Sequence, residues 1–247
     1  MVNGNILRAQ SSNPLIHGMK YTNPDPEAGK ERLKGAVEDA SQRTLYSSQW
    51  KTKGGKVIAQ YSSVMLNYPD ANGQLQPIDL TLHSDPRGWV ADKQPNACYF
   101  HSDRSTAINL GGKNEITFNK NCAINGMPLD QHIVSMEGSE VKMNLSEGVH
   151  KDLNFVTDGI KTDYVFDKPL EGGITITEEI EIPAGYTLQK DEKNGLTQPG
   201  GWAGDYLLLS NDGKVFAKFL AAECYDAKGI GVSQITVCKK RMERIYL

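Results

Sequence analysis

The tripeptide His-Ser-Asp occurs twice, as His83-Ser84-Asp85 and His101-Ser102-Asp103. Imidazole and carboxylate are ligands for zinc, iron or manganese. On an extended strand a histidine and the aspartate two residues later face the same side, so each pair could chelate an ion. A metal-dependent hydrolase built on His83, Asp85, His101 and Asp103 is therefore one chemical reading. No third motif of ligand spacing accompanies the pairs, and Ser and Asp belong in any case to polar strand ends and turns. The preferred expectation is a chain without catalytic residues, metal or cofactor.

Glu178, Glu179 and Glu181 offer a second chemistry, since a pair of carboxyl groups across a cleft can cleave a glycosidic bond. Their setting argues otherwise. Ile174, Ile176, Ile180 and Ile182 share one parity, and Thr175, Thr177, Glu179 and Glu181 share the other. That alternation describes a strand with one buried and one wet face, which expects Glu179 and Glu181 in solvent. Glu178 falls among the isoleucines, and an inward charge at an edge or a bulge explains it more simply than catalysis. A third possibility is binding. Trp89 and Trp202 lie beside Gly and Pro in expected loops, where an aromatic ring can stack on a sugar or a partner surface, or can instead cover the end of a β domain.

Several chemistries lack their signatures. There is no Gly-x-Ser-x-Gly elbow, no phosphate-cradling glycine loop and no dinucleotide fingerprint. The four cysteines, Cys98, Cys122, Cys224 and Cys238, match no zinc ribbon or redox pair. Formal net charge is -3, from 27 basic and 30 acidic side chains, so no global field attracts nucleic acid. The basic cluster Lys239, Lys240, Arg241 and Arg244 is too small for a nucleic-acid arm and reads as a solvated tail. No run approaches the roughly 18 apolar residues of a membrane-spanning helix.

The elements that would position these residues are mostly strands. Residues 1–24 read as an extended arm. Asp25-Pro26-Glu27 is a helix opening, and Leu33, Ala36, Val37 and Ala40 at helical spacing predict a short helix over about 26–41. From Ser41 onward, short alternating runs between turn residues predict an all-β chain of antiparallel sandwiches, with two packed lobes. Asp70-Ala71-Asn72-Gly73 marks one reversal, with 78–82 expected as the returning strand, and Asn211-Asp212-Gly213 marks another. Residues 158–169 and 173–183 read as two strands joined by a Pro/Gly turn, and 189–204 as a loop. The expected core includes Ile174, Ile176, Ile180, Ile182, Val215 and Phe219. The expected organisation is an arm and helix over 1–42, a first β lobe over 43–150, a second over 151–234 and a basic tail over 235–247.

Leu66-Asn67-Tyr68-Pro69-Asp70-Ala71-Asn72-Gly73, the phrase from Asn154 through Gly159-Ile160-Lys161-Thr162-Asp163-Tyr164-Val165-Phe166, Glu179-Ile180-Glu181-Ile182-Pro183, and the stretch from Tyr206 to Phe219 carry a resemblance. Over about 43–232 the chain resembles the β-rich N-terminal regions of large secreted or cell-surface proteins of Bacteroidetes, associated with gliding motility or adhesion. It departs from that pattern at Leu75, where a tryptophan is usual, and after Gly231, where closing strands are expected and Cys238 to Leu247 stand instead. The resemblance implies an extracellular or cell-surface location and a non-catalytic structural or interaction module, belonging to a longer protein. Its partners would be protein or glycan surfaces, and a bare sheet edge would allow self-association. A carbohydrate-binding module using Trp89 and Trp202 is the first alternative, and the metal hydrolase is the second.

Overall fold

The computed structural model describes residues 2–4, 33–112, 114–157, 159–168, 174–198, 201–225, 231–232, 239–241 and 244–246. Among the described residues the structure is dominated by β-strands, and every described ladder is antiparallel. In chain order the strands are β1 (Val2–Gly4), β2 (Val37–Glu38), β3 (Ser47–Lys51), β4 (Val57–Tyr61), β5 (Asn67–Pro69), β6 (Leu75–Pro77), β7 (His83–Asp85) and β8 (Gly88–Ala91). Next come β9 (Cys98–His101), β10 (Thr106–Gly111), β11 (Asn114–Ile124), β12 (Met127–Pro128), β13 (His132–Glu137), β14 (Glu140–Ser146), β15 (Val149–Val156) and β16 (Gly159–Phe166). The last are β17 (Ile176–Glu181), β18 (Tyr186–Gln198), β19 (Gly201–Ser210), β20 (Val215–Phe219), β21 (Glu223–Tyr225), β22 (Gly231–Val232), β23 (Lys239–Arg241) and β24 (Arg244–Tyr246).

The chain divides into two units. One holds Gln10–Asp79 with Lys93–Pro95, and the other Met1–Ala9, Leu80–Asp92 and Asn96–Leu247. The expected lobe boundary at 150/151 falls inside β15.

The smaller unit contains the sheet β2-β3-β4 and the hairpin β5-β6. Of the expected helix over 26–41, residues 26–32 lie outside the described residues, Leu33 is helical, and the chain leaves the helix there to form β2 at Val37–Glu38. Gly35 takes a left-handed φ of 72°, which interrupts any helix. Val37 and Glu38 then pair with Lys51 and Trp50 of β3. Helical propensity loses here to a neighbouring strand that satisfies the backbone. Arg43 fixes the result, donating to Glu38 at 2.8 and 2.7 Å and to the Leu75 carbonyl at 2.8 Å. The Asn-Gly reversal forms as expected, with Asp70 accepting from the N–H groups of Asn72 and Gln74, both at 2.9 Å. Its returning strand is β6, three residues earlier than the expected 78–82.

The larger unit contains a seven-stranded sheet, β13-β14-β15-β16-β1-β21-β22. It also contains a nine-stranded sheet, β23-β24-β17-β11-β10-β9-β8-β7 with β12 paired to β11, and the meander β18-β19-β20. All three sheets supply one buried apolar cluster: Phe100, Ile116, Phe118 and Ile180 from the nine-stranded sheet, Val141, Leu153, Phe155 and Ile160 from the seven-stranded sheet, and Trp202, Leu208 and Phe219 from the meander. The edge strand β13 carries a register shift between Ile133 and Ser135, leaving Val134 outside the ladder and 60% exposed. A bulge of this kind discourages a further strand from adding there.

Four local expectations are corrected. The segments read as two strands joined by a turn, β16 and β17, enter different sheets, while Pro169–Gly173 lie outside the described residues. The expected loop 189–204 is a long hairpin of β18 and β19. Gly195 and Gly204 face each other across it, and a Cβ on Gly195 would come within 2.4 Å of the Trp202 ring. Glycine at both positions is what admits the indole. The basic residues expected as a solvated tail form the hairpin β23-β24 along β17, with Ile245 opposite Ile180. Val2–Gly4 of the expected arm is a strand between β16 and β21, and residues 5–24 lie outside the described residues.

The last hairpin shows a one-residue shift of face. The alternation expects Leu207 and Leu209 to face the core with Val215, Ala217 and Phe219; instead Trp202, Tyr206 and Leu208 are buried, and Val215 is 51% exposed while Phe219 is buried. A register shift between Leu208 and Leu209 separates Val215 from the face that holds Phe219. Ile180 is buried as expected; Ile174, Ile176 and Ile182 are half-buried.

Candidate functional site

Two oppositely charged side chains lie inside the larger unit. Lys151 of β15 has a fully buried side chain, and its Nζ is 2.9 Å from Oε1 of Glu178 on β17. The pair joins the seven-stranded sheet to the nine-stranded one. The Tyr164 hydroxyl of β16 donates to the same carboxylate oxygen. Cys122 of β11 places Sγ 3.1 Å from that hydroxyl, and Gln131 places Oε1 3.5 Å from Lys151 Nζ. Leu145 is buried beside Tyr164 and Cys122, with Val149, Phe166 and Ile176 packed around them.

The sequence dictates this arrangement through strand parity. Val149, Lys151, Leu153 and Phe155 alternate on one face of β15, with Leu153 and Phe155 buried. Glu178 likewise shares its parity with Ile176 and Ile180 on β17. Each charge is carried inward by apolar neighbours on its own strand, and each is compensated only because the other arrives too. β11 is shaped to the purpose: Asn119 and Asn121 take φ of 62° and 50°, and the ladder to β17 shifts register on both sides of Lys120. Asparagine tolerates the left-handed region better than most residues. The irregular stretch lets Asn121 donate to Glu179, which is buried on the other face of β17 and not exposed as its parity predicts.

Burial pushes the Cys122 thiol above its ordinary range, and it pushes the Tyr164 phenol well above its own, with the Glu178 carboxylate adding to the effect. Both groups are therefore held protonated at neutral pH. Tyr164 can only donate to Glu178, and Cys122 is not a thiolate nucleophile. Cys98, Cys122 and Cys224 are thiols and not disulfides; Cys238 lies outside the described residues.

A second ionic cluster ties the meander. Lys218 of β20 reaches Asp191 at 3.1 Å and Asp205 at 2.8 Å, and Asn194 donates to Asp191 at 2.7 Å.

The residues singled out by their chemistry are dispersed. His83 is 3.5 Å from Asp92, whereas His101 is 3.2 Å from Glu115. Asp85 accepts from the N–H of Arg87 at 3.0 Å, and Asp103 from the hydroxyl of Ser105 at 2.6 Å. Among the described residues no group of three or more His, Cys, Asp or Glu is placed to hold a metal ion. A chelator such as EDTA should accordingly leave the thermal transition where it is. A fall in melting temperature with EDTA, reversed by zinc or manganese, would restore the His-Ser-Asp reading.

Trp89 and Trp202 are strand residues, in β8 and β19. Trp202 is 4% exposed and donates its indole N–H to the Asp205 carbonyl at 3.1 Å, so it belongs to the core. Trp89 is half-buried against Phe100, ring centroids 5.8 Å apart. The carbohydrate reading retains Trp89 alone.

Lys151 and Tyr164 were not singled out from the sequence. The signal was present: a lysine on the apolar parity of one strand and a glutamate on the apolar parity of another.

Several carboxylates are held below the ordinary aspartate range. The Gln76 amide and two backbone N–H groups do this for Asp70, the Arg87 N–H for Asp85, and the Asn194 amide with Lys218 for Asp191. A depressed folded value stabilises the folded state above the unfolded value, and that stabilisation is lost as pH falls through the folded one. Melting temperature should therefore hold through mildly acidic pH and decline below about pH 4, near the unperturbed carboxylate values. Melting curves recorded from pH 7 to pH 2 check this, and a decline already complete at pH 5 would contradict it.

Comparison with family models, with curated proteins and with solved structures finds no match.

Proposed function

We propose that the chain is a non-catalytic structural or interaction module of a secreted or cell-surface protein, its antiparallel sheets packed as β-sandwiches. The observation that carries this reading is the closure of Lys151 on Glu178 between two sheets, with Tyr164 on the same carboxylate. Lys151 with Glu178, and Lys218 with Asp191 and Asp205, hold strands together inside the larger unit. The apolar cluster shared by its three sheets supports the same role, because it makes a stiff body from long ladders. Among the described residues no helix is long and apolar enough to cross a membrane, which leaves β-barrels unaddressed.

The resemblance to N-terminal regions of large Bacteroidetes surface proteins supports the location, and protein or glycan surfaces are the partners it suggests. Labelling intact, unpermeabilised cells of the source organism with an antibody against the larger unit tests the proposal. Surface labelling that is removed by external protease is expected. Recovery of the protein only from the cytoplasmic fraction would overturn it.

A further inference from the structure

We propose that Lys151 and Gln131 become joined by an intramolecular isopeptide bond, with Glu178 as the proton carrier. Three groups that such a reaction requires converge. Lys151 presents an amine whose side chain is fully buried. Gln131, half-buried just before β13, presents a carboxamide whose oxygen is 3.5 Å from that amine. Glu178, its side chain 9% exposed, presents a carboxylate 2.9 Å from the same amine and is steadied by the Tyr164 hydroxyl.

The chemistry balances without a co-reactant. The Lys151 ammonium gives a proton to the Glu178 carboxylate, which lies 2.9 Å from it. The free amine attacks the Gln131 carboxamide carbon, forming the new C–N bond. Glu178 returns a proton to the departing nitrogen, the old C–N bond breaks, and ammonia leaves. The proton lost by the substituted amine restores the balance, so the products are one secondary amide and one ammonia. Folding supplies the proximity, since groups held near contact react as though present at very high concentration.

Gln131 is the acyl group and Glu178 the carrier for a chemical reason. A carboxylate repels a nucleophile and offers no good leaving group, whereas a carboxamide is neutral and releases ammonia once protonated. The bond would tie the segment entering β13 directly to β15, closing the β13-β14-β15 meander into a covalent ring. The edge of the seven-stranded sheet could then not peel away.

Intact-mass spectrometry of the folded full-length chain, denatured just before measurement, tests this. Allowing for the initiator methionine, the chain should be lighter than its sequence by one ammonia, about 17 Da. Protease digestion should yield one branched peptide joining Lys151 to Gln131. The Gln131→Ala variant should regain its full sequence mass while keeping a cooperative thermal transition, and Glu178→Gln should also keep its ammonia. A wild-type chain at its full sequence mass overturns the proposal. So does an ammonia loss mapped to a succinimide at an Asn-Gly pair, or a water loss joining Lys151 to Glu178.

Discussion

Glu178→Ala should destabilise the protein by about 3–5 kcal/mol, the range for removing one partner of a buried ion pair. The substitution leaves Lys151 fully buried with Gln131 Oε1 at 3.5 Å as its remaining acceptor, and it deprives the Tyr164 hydroxyl of the carboxylate it donates to. The penalty is the desolvation of an orphaned charge and not the worth of the pair itself. A double change, Lys151→Met with Glu178→Leu, should therefore be markedly more stable than Glu178→Ala, because it removes both charges and keeps most of the volume. Urea unfolding of the parent, the single variant and the double variant separates these terms, provided the slopes agree. A Glu178→Ala midpoint equal to the parent would mean that the pair is hydrated or open in solution.

The backbone scheme of this fold was legible wherever both strand faces obey simple alternation. Among the short alternating runs expected after Ser41, β9 and β14 alternate cleanly between a buried and a less buried face. Alternation failed where a strand is enclosed on both faces. Within β17, Glu178, Glu179 and Ile180 are all buried, so the parity that marks Glu179 as a wet residue carries no information there. The flanking partners are β11, bent by two left-handed asparagines, and β24, drawn from a segment whose charge suggested a tail. Neither is visible in the local pattern around residue 179.

The candidate site was missed for a related reason. Histidine, aspartate and tryptophan attract notice by type, and here they are dispersed or occupied with packing. Lys151 and Glu178 carry meaning only by position, since each occupies an apolar register slot on its own strand. Read one strand at a time, each looks like an irregularity. The pairing requires knowing that β15 and β17, in different sheets, bring these two slots together, and that topology is non-local. The turns show the opposite case. Asp70 through Gly73 folds on its own hydrogen bonds, and so it was readable from four residues.

Ile180→Ala should cost about 2–5 kcal/mol, the range for truncating a fully buried isoleucine. Ile180 has no exposed surface and belongs to the apolar cluster that the three sheets share. It lies on an interior strand, between β11 and β24, and opposite Ile245. Collapse around the missing methyl groups is restricted there, because ladders hold the backbone on both sides and residual cavity volume sets where in the range the cost falls. Ile180→Val keeps most of the contact and should cost about 0.5–1.5 kcal/mol. By contrast Val215→Ala, at a residue 51% exposed, should stay within about 0.5 kcal/mol of the parent. The order of the three midpoints in urea is the measurement. If Val215→Ala proved as costly as Ile180→Ala, the face assignment of β20 would be reversed and the core would include the residue that the register shift now turns outward.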